Sequence, residues 1–134
     1  MAAVRGRNTT PERMVRRTLF AAGYRYRLHR RDLSGAPDIV LPKFRTAIFV
    51  HGCFWHGHHC PRGQRPASNC DFWDRKLNGN IARDRKNQAA LRAAGWHVEV
   101  IWQCSLAAGC DRVLAHLDER RRAALSGTAR EFTR

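Results

Sequence analysis

Apolar positions recur at two spacings along this chain, and the change of spacing marks its elements. In "TPERMVRRTLFAAG" Val15, Leu19 and Ala22 share one helical face, with Thr10 as N-cap, Pro11 at the first helical position and Gly23 as the stop. Glu12 projects from that same inward stripe, where an acid is unusual, although a first-turn acid also suits the helix dipole. "YRYRLH" alternates aromatic or apolar with basic residues and predicts a strand at a surface. After the turn "SGAP", "DIVLP" predicts a short apolar strand closed by Pro42, and "TAIFV" a second one buried on both faces. Residues 61–71, "PRGQRPASNCD", have loop composition. "NIARDRKNQAALRAAG" predicts a helix stopped by Gly95, "WHVEVIW" a further strand, and "DRVLAHLDERRRAAL" a final amphipathic helix with Asp111 as N-cap. This order predicts a small mixed sheet with helices on its faces, an α/β/α layering. Residues 1–9 read as a mobile basic arm and residues 127–134 as a frayed tail.

Composition sharpens that outline. A chain of 134 residues predicts one domain, and a 43% hydrophobic content excludes disorder throughout. Twenty-five Lys and Arg oppose 11 Asp and Glu, a net charge of +14 spread over the chain, which points to a polyanionic partner and to nucleic acid first. No apolar run is long enough for a membrane span and no signal peptide is evident, so a cytoplasmic location is expected. Five irregularly spaced cysteines then favour metal ligation or free thiols over disulfides.

The chemistry concentrates around "HGCFWHGHHC", residues 51–60. Asp38 opens an apolar strand directly after a turn, a place where magnesium-dependent phosphodiester enzymes put a metal-binding carboxylate, although a Pro-Asp pair alone is more often a plain turn. The acid and lysine that commonly follow on a neighbouring strand are absent at Phe49-Val50-His51; histidines stand there instead. His51 and His56 can each act as a base on water, since imidazole titrates near neutral pH. His58 and Cys60 offer an N and an S ligand in one turn, and tetrahedral zinc needs two more. Cys104 after the last strand and Asp84 on the buried stripe of its helix are the candidates; His59 can replace His58, and Cys53, Cys70 or Cys110 can replace Cys104. Phe54-Trp55 and Phe72-Trp73 serve equally as plugs folded over the sheet or as wedges that unstack base pairs.

Taken together, "NTTPE", "YRYRLH", "GAPDIVLPKFRTAIFVHGCFWHGHHC", "FWDRKLNGNIARDRKN" and "LRAAGWHVEVIWQCSL" resemble the very-short-patch-repair (Vsr) DNA mismatch endonucleases from about Arg7 to about Leu106. The resemblance implies a restriction-endonuclease-like α/β/α core, catalytic Mg²⁺ and structural Zn²⁺. It implies nicking 5′ to the thymine of a T·G mismatch left by deamination of 5-methylcytosine, in functional partnership with a cytosine-5 methyltransferase. Carried over, Asp38 and the backbone carbonyl of Val50 hold Mg²⁺, His56 is the base with His51 beside it, and Glu12 is a supporting acid. His58, Cys60, Asp84 and Cys104 fall on the zinc ligands. Phe54, Trp55 and Trp73 fall on the intercalating aromatics, with Asn80, Arg5 and Arg7 as further DNA contacts. Val50 departs from the Thr that the family can carry, and only Arg5 and Arg7 of the basic arm precede Asn8. A single-strand nick needs one active site, so a monomer is expected. Two alternatives stand beside this reading: a restriction-type endonuclease of different specificity, and a zinc-stabilised DNA-binding module without catalysis.

Overall fold

The computed structural model describes residues 10–126. The arm with Arg5 and Arg7, and the tail at 127–134, lie outside the described residues. Helix α1 (Thr10–Ala21) leads into strand β1 (Arg27–Leu28), β2 (Ile39–Leu41) and β3 (Thr46–His51). Helix α2 (Cys70–Ala93) then carries the chain to β4 (His97–Trp102), and α3 (Leu106–Ser126) closes it. The sheet order is β1-β2-β3-β4, with antiparallel pairs at β1/β2 and β2/β3 and a parallel pair at β3/β4. A parallel pair needs a long crossover, which α2 supplies.

Apolar side chains leave both faces of the sheet. Ile39, Leu41, Ile48 and Ile101 pack with Val15 and Leu19 of α1 and Val113 and Leu117 of α3. Ala47, Phe49 and Val98 pack on the opposite face against Leu91 of α2. The result is the mixed α/β/α layering expected from the sequence, with the restriction-endonuclease-like arrangement of helices on both faces. β3 is a near-continuous apolar run because both of its faces are covered. Glu12 lies on the buried stripe of α1 with Val15 and Leu19, as its spacing predicts.

Three boundaries differ from expectation. The surface strand shrinks to Arg27–Leu28, since only those two residues find partners on β2. α2 begins at Cys70, so the aromatic pair Phe72-Trp73 stands on its first turn and not in a loop. The polar "NGN" at 78–80 conceals that helix from a reading of propensity. Tertiary contacts sustain it: Leu77 is fully buried, and Arg65 bonds both Asp74 and Asn78. α3 begins at Leu106, which places Asp111 inside the helix and not at its cap. Gly109 permits that extra turn, because a Cβ there would sit 2.7 Å from Ile101 Cγ2.

Candidate active site and metal centre

The fold aligns four strand ends along one edge of the sheet. β3 and β4 run parallel and end together at His51 and Trp102, which are register partners. β2 runs the other way, so its entry residue Asp38 arrives at the same edge. The Val50 N–H donates to Asp38 Oδ2 at 2.8 Å, tying that carboxylate to β3. This bond uses the backbone amide, which a valine supplies as a threonine would. On the far side the His29 N–H donates to the Asp38 carbonyl at 3.0 Å. The His29 ring then meets Glu12, with Nε2 2.7 Å from Oε2. Glu12, His29 and Asp38 thereby bring one ligand atom each to within 4.8 Å of one another.

Burial sets the electrostatics of this edge. The Asp38 carboxyl is pushed up to about 7, chiefly by burial and further by the neighbouring Glu12 charge, against the opposing pull of the Val50 amide. Asp38 beside Glu12 places two carboxylates together, a donor set that suits a hard divalent ion. His51 moves the other way: burial, then the adjacent His56, depress it to about 3, so it is a neutral imidazole near pH 7. The two rings stack at 3.6 Å with 1° between their planes.

His56 comes from the turn that follows β3. A chain of backbone bonds shapes that turn, from the His56 N–H to Gly52 O, the Gly57 N–H to Phe54 O and the His58 N–H to Cys53 O. Gly57 has φ +64°, and a Cβ there would lie 2.4 Å from Ile81 Cδ1 of α2. Across this close approach Asp84 reaches the turn, and its Oδ2 lies 2.6 Å from His56 Nδ1. The expectation that Asp84 ligates zinc is therefore corrected. The sequence shows that an inward carboxylate on α2 needs a partner, and that partner is an imidazole. His51, His56 and Asp84 form a second group of donors within 4.8 Å.

A third group holds Cys53, His58, Cys60 and Cys104, again with one ligand atom each inside 4.8 Å. Cys53, for which the sequence offered no role beyond that of a substitute, takes the place expected for Asp84. It is fully buried on the inner side of the turn, while His59 is exposed and joins no group. His58 Nδ1 lies 3.5 Å from Cys104 Sγ, so the short turn after β4 closes on the turn after β3. Burial raises Cys53 to about 11. Burial also acts upward on Cys60, but hydrogen bonds with His58, Cys53 and Cys104 outweigh it and draw that thiol down to about 7. Three sulfurs and an imidazole nitrogen in this space fit a soft tetrahedral ion. The remaining cysteines, Cys70 and Cys110, are free thiols outside the group.

The aromatics assemble beside these groups. Phe54 meets Trp55 edge-on at 5.0 Å and Trp73 at 5.3 Å, and Trp55 lies 5.8 Å from Trp73. Phe72 adds a fourth ring against Trp73 and is 51% exposed. Asn80 Nδ2 donates to the Trp55 carbonyl at 2.8 Å, so Asn80 holds the backbone under the aromatic cluster. Arg75, Lys76, Arg83, Arg85 and Lys86 stand exposed along α2. No helix among the described residues is long and apolar enough to cross a membrane.

Comparison with known proteins settles the class. Residues 1–62 match the family profile described as DNA mismatch endonuclease Vsr. The chain is 57% identical over 106 residues to the type II nicking enzyme V.XorIIP of Xanthomonas oryzae pv. oryzae, covering 79% of this chain and 78% of that protein. It is 46% identical over 106 residues to the type II nicking enzyme V.NmeAIP of Neisseria meningitidis serogroup A, covering 79% and 76%. Against the DNA mismatch endonuclease Vsr of Escherichia coli K12 the identity is 39% over 106 residues, covering 79% and 68%. The chain belongs to the Vsr family. It is an endonuclease, a hydrolase that acts on DNA.

As a Vsr-family endonuclease the chain acts on DNA, and the exposed basic residues along α2 suit a polyanion. The sequence-derived residues Asp38, Glu12, His51 and His56 converge on one sheet edge, and His58, Cys60 and Cys104 on the adjoining turn. Two residues escaped the sequence reading, and a third, Cys53, entered it only as a substitute for Cys104. Cys53 could have been found from the spacing Cys53-x4-His58-x-Cys60. Neither His29 nor Trp102 is assigned a role from the sequence, because only the pairing of β1 with β2 and of β3 with β4 brings them to the site.

Proposed function

We propose that this protein nicks one strand of duplex DNA 5′ to the thymine of a T·G mismatch, in a reaction dependent on Mg²⁺. The observation that carries the reading is the Asp84–His56–His51 arrangement beside Asp38, with the aromatic cluster rooted in the same turn. The Asp84 carboxylate on His56 Nδ1 fixes the tautomer and leaves Nε2 to take a proton, which is how an oriented imidazole serves as general base on a water. His51, buried and neutral, cannot carry a second positive charge against His56 at 3.6 Å, so the proton taken from water resides on His56 with Asp84 as its counter-charge. Asp38 and the Val50 carbonyl would hold the Mg²⁺, which would supply charge neutralisation at the scissile phosphate. Glu12, fixed by His29, adds negative charge to that ligand field. Phe54, Trp55 and Trp73 enter the base stack, where a mismatch costs least to open. Cys53, His58, Cys60 and Cys104 hold a Zn²⁺ that clamps the turn.

A lesion of this kind arises from 5-methylcytosine, so the proposed biological partner is a cytosine-5 methyltransferase whose target sequence frames the mismatch. One active site suffices for a nick, consistent with action as a monomer. The test of the catalytic assignment compares wild type with Asp38→Ala and His56→Ala on a T·G duplex, in Mg²⁺ and in EDTA. Loss of nicking in both variants and in EDTA, with DNA binding retained, is the expected result. Undiminished nicking by Asp38→Ala removes the assignment. Tight binding with no Mg²⁺-dependent nick from wild type establishes a binding module instead.

A further inference from the structure

The cysteine-rich group and the imidazole pair are separate sets of donors, yet one side chain lies against both. Trp102 ends β4 and is the ladder partner of His51. Its ring stacks on the His58 ring at 4.0 Å with 11° between planes. The same ring meets His51 edge-on at 5.1 Å and stands 6.4 Å from His56. His58, Trp102, His51 and His56 thus form one unbroken series of packed rings from the proposed zinc centre to the proposed base.

What this packing does follows from the state of His51. Its side chain is buried, and Nδ1 has no hydrogen-bond partner among the described residues. No bond at that nitrogen sets the plane of the ring, so its neighbours must. Phe49 flanks it at 5.7 Å and Trp102 at 5.1 Å, while His56 covers its face. Because the His51 and His56 rings are parallel and in contact, a rotation of His51 displaces the ring of His56 from its bond to Asp84. A smaller side chain at 102 leaves His51 room to turn.

We propose that Trp102 is a positioning residue that fixes the orientation of the His51–His56 pair and transmits to it the order of the Cys53/His58/Cys60/Cys104 centre. The inference rests on the catalytic reading of His51 and His56 given above. It adds that the metal centre governs the reaction rate through a ring contact, beyond holding the fold together.

The test uses the full chain and three measurements on Trp102→Leu and Trp102→Phe: single-turnover nicking of a T·G duplex, DNA affinity without added Mg²⁺, and zinc content. Misplacing a reacting group by about 1 Å costs about 100-fold in rate. Trp102→Leu should therefore nick about 100-fold more slowly, with affinity and zinc content within about threefold of wild type. Trp102→Phe, which keeps a ring in place, should recover most of that loss. A second measurement needs no variant that might fold poorly. In wild type labelled with ¹⁵N-histidine, chelation should move the ring resonances of His51 and His56, which ligate no ion in this centre, and return of Zn²⁺ should restore them. Wild-type nicking by Trp102→Leu while His51→Ala and His56→Ala are inactive overturns the proposal and leaves the catalytic reading intact. So do unmoved His51 and His56 resonances on chelation, or a loss in Trp102→Leu that falls equally on affinity, zinc and rate. Full activity in His51→Ala and His56→Ala overturns the catalytic reading itself, and the proposal with it.

Discussion

At the scale of single residues, the site is built on groups held away from their comfortable protonation states. Asp38 titrates near 7 in the folded chain, well above an aspartate in the unfolded one. Between about pH 4 and about pH 7 the metal-free folded protein binds a proton that the unfolded chain has released, so stability falls as pH rises through that window. His51 has the opposite sign: its folded value near 3 lies below the ordinary histidine value, and its contribution is lost as pH falls from about 6.5 toward 3. The prediction concerns Asp38→Asn. The amide can still accept from the Val50 N–H but has no charge to bury. Without added Mg²⁺ at about pH 8 this variant should be more stable than wild type, by up to roughly 4 kcal/mol at about 1.4 kcal/mol per tenfold change in proton affinity. It should also show no nicking. Denaturant unfolding of both proteins at about pH 6 and about pH 8 checks it, and equal stabilities at the higher pH contradict it. Mg²⁺ should stabilise wild type more at the higher pH and leave Asp38→Asn unmoved.

At the scale of elements, the sequence was informative wherever one element alone carried the signal. The inward position of Glu12 on α1, the apolar β2 and β3, and the inward Asp84 on α2 are all visible as spacing. What Asp84 meets is not, because that depends on how α2 crosses the turn after β3. The same holds for Cys53, whose inward direction is set by the turn's backbone, and for the start of α2, where burial of Leu77 overrides the weak propensity of "NGN". Gly57 is the junction of those two elements, with φ +64° and Ile81 in the space a Cβ would need. Gly57→Ala should therefore destabilise the protein by about 1–3 kcal/mol. It should also release zinc to a chelator faster than wild type, which a colorimetric chelator can follow. A variant that matches wild type in both melting and release would show that the turn is not held by this contact.

At the scale of the whole molecule, a charge of +14 and the exposed basic face of α2 dominate the encounter with DNA. Binding through phosphates releases counterions, with about −0.9 in the slope of log affinity against log salt for each phosphate neutralised. Affinity of the Asp38→Ala variant should fall at least about tenfold between about 50 and about 200 mM salt, measured by fluorescence anisotropy. Affinity indifferent to salt would remove the phosphate grip from the account. This steep, sequence-blind attraction cannot choose a substrate, so the proposed selectivity is assigned to the Phe54, Trp55 and Trp73 cluster beside the Asp38 edge. The most direct test is therefore a strand-resolved nicking assay in Mg²⁺ on otherwise identical T·G, T·A and C·G duplexes. The account predicts a single cut, 5′ to the mismatched thymine, in the T·G duplex, with the paired duplexes left whole. Equal cutting of all three, or cutting of both strands, would contradict it.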